Sequence, residues 1–260
     1  MNKNNAQDTA SASEKQEKVG YVHSIESFGS VDGPGIRFLI FLQGCPMRCL
    51  FCHNPDTWKQ DKTRPMTADE LLDKAEKYRS YWGGKGGITV SGGEALLQID
   101  FLIELFEKAH ARSINTCLDT SAQPFTRKGT WFAKFERLMK VTDTVLLDIK
   151  HIREDEHRKL TKFSNSNILD CARYLSDIQK PVWIRHVLIP KLTDNDAYLH
   201  ELAAFLKTLH NIERIDILPY HTLGTYKYEE LHIDYPLKCI EPPPQEHIDN
   251  ANRIMESVLE

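Results

Sequence analysis

Six short runs of β-forming residues recur along the 260-residue chain, at Ile36–Leu42, Gly87–Val90, Ile114–Leu118, Thr144–Leu147, Val182–Leu188 and Arg214–Leu218. Segments with helical spacing lie between most of them. Thr67 precedes the stripe Leu71, Leu72, Ala75 and Tyr78, a capped amphipathic helix. Phe101, Leu102, Leu105, Phe106 and Ala109 make a second stripe; Leu169, Ala172, Leu175 and Ile178 a third; Leu199, Leu202, Ala203, Leu206 and Leu209 a fourth. Glu241-Pro242-Pro243-Pro244 then leads into a C-terminal helix over Gln245–Leu259. Strands separated by helices at a spacing of roughly 30 residues cannot pair as hairpins; they require crossovers and a parallel sheet. Six strands are too few for the usual closed eight-stranded barrel. Polar residues choose between an open doubly wound sheet and a partial barrel. His53, Glu94, Asp119, Asp148, Lys150 and His221 fall just past the C-terminal ends of the β-runs, where parallel α/β folds place ligands. Polar groups delivered to one rim from so many segments favour a curved sheet around a central site, an α/β partial six-stranded barrel.

Charge and composition remove other classes. The net charge is −4 and no long basic block occurs, so nucleic-acid binding gains no electrostatic support. No apolar stretch reaches the length of a membrane span. Met1–Lys18 is polar and lacks the apolar core of a secretory signal; it reads as a disordered tail before a single domain over residues 19–260. The expected compartment is a reducing cytoplasm, where a disulfide framework does not persist. The six cysteines, at 45, 49, 52, 117, 171 and 239, therefore need another explanation. Cys117, Cys171 and Cys239 stand alone and are expected to be structural, as small buried hydrophobes.

The other three form Gln43-Gly44-Cys45-Pro46-Met47-Arg48-Cys49-Leu50-Phe51-Cys52-His53-Asn54-Pro55, directly after a β-run. Thiolates are the usual ligands of iron–sulfur clusters, and three in a loop this short can hold three corners of one, leaving an iron open to a small molecule. Zinc held by three Cys and His53 competes, although adjacent Cys52 and His53 are poorly spaced for one tetrahedral ion. Cys49-x-x-Cys52-His53 also matches a haem-attachment pattern, and Cys-x-x-Cys a redox pair that would leave Cys45 unexplained. Three small buried side chains are the plainest alternative.

Cys-x3-Cys-x2-Cys resembles the signature of the radical S-adenosylmethionine (SAM) family. The flanking Ser27-Phe28-Gly29-Ser30-Val31-Asp32-Gly33-Pro34-Gly35-Ile36-Arg37 and Cys52-His53-Asn54-Pro55-Asp56-Thr57-Trp58 are similar to the activating enzymes of glycyl radical enzymes, over roughly residues 19 to 258. The resemblance implies a partial (β/α)6 barrel, a [4Fe–4S] cluster on Cys45, Cys49 and Cys52, and SAM on its open iron. Ser91-Gly92-Gly93-Glu94 resembles the family segment that binds the amino group of SAM, with Glu94 as an anionic partner for that ammonium. Asp148-Ile149-Lys150 corresponds to a SAM-contacting segment, and His221 to a histidine that packs on adenosine; Phe51 and His53 are expected to border adenine. Asp119 and Asp148 are expected to handle polar groups of SAM, with a monovalent cation near the pair. Arg185, an inward arginine in a strand, needs an anionic partner: the carboxylate of SAM or an aspartate of the protein. The further implications are a protein substrate, pyruvate formate-lyase, an electron donor of the flavodoxin or ferredoxin kind, and a monomer.

Overall fold

The computed structural model describes residues 17–259, so the predicted tail lies outside the described residues except for Glu17 and Lys18. In chain order the elements are β1 (Val19–Gly29), β2 (Arg37–Leu42), β3 (Pro65–Thr67), α1 (Ala68–Glu76), β4 (Gly87–Gly92), α2 (Ile99–Ala111), β5 (Asn115–Thr120), α3 (Gly129–Lys140), β6 (Thr144–Asp148), α4 (Glu154–Thr161), α5 (Ser166–Asp177), β7 (Val182–Leu188), α6 (Asp196–Leu206), β8 (Ile212–Pro219), α7 (Tyr226–Glu230) and α8 (Gln245–Leu259).

The six runs read from the sequence are β2 and β4 to β8, each paired in parallel with its neighbour. The sheet has eight strands in the order β3-β1-β2-β4-β5-β6-β7-β8. The extra two, β1 and β3, pair antiparallel at one edge. An α/β architecture built on an open, mostly parallel sheet of partial-barrel type therefore stands, with an antiparallel extension that the helix–strand period does not reveal. The central strands are covered on both faces: Phe38, Leu39, Ile40, Ile88 and Val90 are all buried, as continuous apolar runs in parallel sheets require.

Local signals account for the helices. Thr67 accepts from the backbone N–H of Glu70 while the Glu70 side chain accepts from the backbone N–H of Thr67, a reciprocal capping box that starts α1. Asn195 caps α6 through Ala197 N–H at 2.9 Å. α8 has the bounds expected from sequence and packs on α6 and β8. The loop between β1 and β2 is tied down by Arg37, which is fully buried and donates to Thr89 Oγ1, Asn115 Oδ1 and the carbonyls of Pro34 and Lys85; an arginine so enclosed is tolerated because its donors are satisfied. Of the scattered cysteines, Cys117 and Cys171 are buried as expected, whereas Cys239 is exposed: its segment packs inward through Tyr235 and Leu237, and Cys239 lies on the outer side.

Candidate active site

The C-terminal ends of the parallel strands, the cysteine loop and the turn after β8 enclose a cavity of about 520 Å³, within the usual range of small-molecule sites. Twelve of the residues singled out from sequence line it: Cys45, Cys49, Phe51, Cys52, His53, Gly92, Gly93, Asp119, Asp148, Lys150, Arg185 and His221.

The cysteine loop is held from behind. Gly44 N–H donates to Thr57 O at 2.8 Å, Leu50 N–H to Leu160 O at 3.0 Å and Cys52 N–H to Cys49 O at 3.1 Å. Met47, Phe51, Leu160, Tyr220, Tyr228 and Tyr235 form a second apolar cluster beneath it, and Tyr228 Oη donates to Cys52 O at 2.9 Å. All three thiols are free. Burial pushes Cys45 and Cys49 up to about 12 and also raises Cys52, so the surroundings do not stabilise thiolates by themselves. A cationic metal group would. The three thiols line one cavity, and soft thiolate donors are the usual ligands of an iron–sulfur cluster.

The Gly92-Gly93 turn presses against this loop. Gly93 N–H donates to Leu42 O at 3.0 Å and Glu94 N–H to Gly44 O at 2.8 Å. Gly92 has φ +138°, and a Cβ there would lie 2.2 Å from Leu42 O; one at Gly93 would lie 2.3 Å from Gly44 O. No side chain fits either position.

Two expected ligand residues do not face the cavity. Glu94 is buried and turned into the protein: Oε1 accepts from Leu96 N–H and Thr120 Oγ1, and Oε2 from Ser121 N–H and Ser121 Oγ. Burial drives its carboxyl upward and these donors offset part of the rise. The Ile149 side chain lies in the main core, while its N–H donates to Arg185 O and its carbonyl accepts from His186 Nδ1 at 2.7 Å. In both cases the residue follows a strand end, where the direction of the side chain no longer obeys strand alternation.

The far wall carries charge. Arg185 donates from Nε to Asp148 Oδ1 at 3.1 Å and pairs with Asp119 at 3.3 Å and Asp32 at 3.9 Å. Three protein aspartates thus stand around this arginine. Lys150 Nζ donates to Asp148 Oδ2 at 2.9 Å and stands 5.4 Å from the Phe51 ring centre. Ser91 Oγ donates to Asp119 Oδ2 at 2.5 Å. The two carboxylates respond oppositely. Burial raises Asp119 to about 6, with Arg185 only partly offsetting it. Burial would raise Asp148 too, but Lys150 and Arg185 together override it and hold the group at about 2. Across the cavity mouth the rings of His53 and His221 stack with centroids 4.2 Å apart, and His53 Nε2 donates to His221 O at 3.0 Å; burial lowers the pKa of His53.

Asp32, Ser91, Thr120, Ser121 and Val187 also line the cavity and were not foreseen as site residues. Val187 was within reach of strand alternation, since it shares a face with Arg185 two residues earlier. Asp32 lay in the quoted N-terminal motif, but its position across from Arg185 depends on the fold.

Similarity to known proteins agrees with this construction. Residues 39–203 match the family model described as the radical SAM superfamily, and a radical SAM methyltransferase from Sphaerobacter thermophilus superposes with a TM-score of 0.61 at 19% identity, covering 85% of this chain and 64% of that one. The chain belongs to the radical SAM superfamily. A relative from Streptococcus mutans, named pyruvate formate-lyase-activating enzyme, is 56% identical over 92% of each chain; one of the same name from Listeria monocytogenes is 51% identical over 93% of this chain and 98% of its own. Within the superfamily, the chain is a member of the family these relatives define.

Proposed function

We propose that the protein activates pyruvate formate-lyase, with Cys45, Cys49 and Cys52 holding a [4Fe–4S] cluster whose open iron takes SAM. The observation that carries this reading is the convergence of three free thiols, a half-buried glycine turn and a buried charge network on one cavity, in a chain 56% identical to a relative of that name. Cys45, Cys49 and Cys52 would hold the cluster, and the chemistry it would supply when reduced is the one electron for reductive cleavage of SAM to methionine and a 5′-deoxyadenosyl radical, the species that would abstract hydrogen from a glycine of the partner.

The chain's own residues bind, orient and exclude water. Gly92 and Gly93 offer backbone polar groups to the methionine end of SAM. Lys150 and Arg185 present fixed positive charge to its carboxylate, and Asp119 and Asp148 hold those cations in place. Phe51, His53 and His221 border the adenosine. Glu94 and Ile149 act from behind, fixing the corners on which the glycines and Lys150 stand. Three carboxylates, of Asp32, Asp119 and Asp148, face two cations, Arg185 and Lys150, at the far wall. A monovalent cation near Asp119 and Asp148 balances that excess; unchanged activity after exchange into potassium- and sodium-free buffer would refute it. A low-potential flavodoxin or ferredoxin serves as electron donor, and the protein works as a monomer in the reducing cytoplasm. Among the described residues no helix is long and apolar enough to cross a membrane.

The test is anaerobic. Reconstituted, reduced protein with SAM and purified pyruvate formate-lyase gives a glycyl doublet in the EPR spectrum, and Cys49→Ala abolishes it. Release of 5′-deoxyadenosine without the doublet discards the partner and keeps the chemistry. Neither signal from cluster-replete protein overturns the reading.

A further inference from the structure

One cation near the cysteine loop has no part in the cavity. Arg48 lies between Cys45 and Cys49, and its side chain is on the surface side of the loop, exposed rather than lining the cavity. It is nonetheless well engaged. Nη1 donates to Cys45 O at 2.8 Å and Met47 O at 2.7 Å. The guanidinium carbon lies 4.8 Å from the centre of the Trp58 ring, and the backbone of Trp58 in turn accepts from Cys45 N–H at 3.3 Å. The backbone N–H of Arg48 donates to Thr161 O at 3.1 Å, at the end of α4. Among the described residues no carboxylate pairs with it. One end of the guanidinium, Nη1, thus donates to the carbonyls of the loop itself rather than to a neighbouring acid.

We propose that Arg48 is a positioning residue for the metal group on the three cysteines, acting as clamp and as charge; this rests on the function proposed above. The clamp follows from geometry. Nη1 draws the Cys45 and Met47 carbonyls to one nitrogen and so fixes the first half of the loop, and stacking of the flat guanidinium on Trp58 fixes that nitrogen. The charge follows from electrostatics. A permanent cation on the loop's outer face favours the more negative, reduced state of a cluster held on the inner face, which moves the reduction potential upward. Exposure to solvent weakens this field without removing it, because the separation is only the thickness of one loop. Lysine keeps the charge and loses the flat guanidinium that stacks on Trp58; glutamine loses both.

The experiment compares wild type, Arg48→Lys and Arg48→Gln after reconstitution, with no partner present. Cluster release is timed by absorbance in the presence of an iron chelator, and the midpoint potential is measured by EPR-monitored titration with dithionite and mediator dyes. Both variants are expected to lose iron ~10-fold faster, the equivalent of one net charge-assisted hydrogen bond. Only Arg48→Gln is expected to titrate at a more negative potential. Melting of the metal-free variants at the wild-type temperature separates these effects from misfolding. Wild-type release rates in both variants overturn the clamp, and a wild-type potential in Arg48→Gln overturns the charge. Failure of all three proteins to take up iron in place of these differences would instead count against the function on which the inference rests.

Discussion

Two carboxylate corners stand side by side at the rim of the sheet, and they are built differently. Beyond β4, Glu94 is surrounded by neutral donors, two backbone N–H groups and two hydroxyls, all within its own turn or at the end of β5. At the ends of β5 and β6, Asp119 and Asp148 are met by cations on long side chains, Arg185 from β7 and Lys150. Both corners are deep, yet only the second opens on the cavity. Short neutral donors wrap a carboxylate completely and seal it into the framework. Long cationic partners reach from separate strands and remain accessible to a ligand that carries charge of its own.

The contrast can be broken in three ways, from the largest expected effect to the smallest. Arg185→Leu strips Asp119 and Asp148 of a shared cation and is expected to cost ~3–5 kcal/mol in urea unfolding of the metal-free protein at pH 7; a loss below ~1 kcal/mol would mean that water already does the work of the arginine. Glu94→Gln breaks the sealed corner and should cost ~1–3 kcal/mol, while SAM affinity, measured by calorimetry on the cluster-loaded folded protein, stays within about twofold. A drop of tenfold or more would return Glu94 to the ligand set. The third concerns pH. Asp119 holds its proton up to about 6 when folded, against about 3.9 unfolded, so stability falls as pH rises between those values and is level above them. Asp148, held at about 2, acts in the opposite sense: its contribution is complete above about 4 and disappears as pH drops toward 2. Asp119→Asn should therefore flatten the melting temperature between about pH 4 and 6, by roughly 2–4 °C, and leave the acid limb below pH 4 in place. A wild-type slope in the variant would show that the proton resides elsewhere.

The parts of the molecule readable from sequence are those governed by period and spacing. The six parallel strands announce themselves as short apolar runs, and the helix over Gln245–Leu259 by the proline run Pro242–Pro244 that leads into it. β1 escaped because Val19–Gly29 is an edge-side strand with few fully buried positions, so its alternation is diluted by His23, Ser24 and Glu26. β3 is three residues long, below any periodic signal. α4 buries only His157, Leu160 and Thr161, too few for a stripe, whereas α3 carries the clearer signal of an aromatic face, with Trp131, Phe132 and Phe135 around Phe125. In the site, the cysteine spacing carried its own meaning. What the sequence could not convey was which way a side chain turns once a strand ends, and hence that Glu94 and Ile149 point inward, or that Asp32 crosses the opening to Arg185.

The glycine pair beyond β4 has a bearing on how such a site can diversify. With carbonyl oxygens little more than 2 Å from where a Cβ at Gly92 or Gly93 would stand, neither position can be exchanged for another residue without parting the end of β4 from β2 or from the cysteine loop. That side of the pocket is frozen to mutation. New substrates or partners can be accommodated only by substitutions arriving from the opposite wall, on β5 to β8 and the turn that follows, so that one half of the cavity keeps the shared chemistry while the other is free to drift.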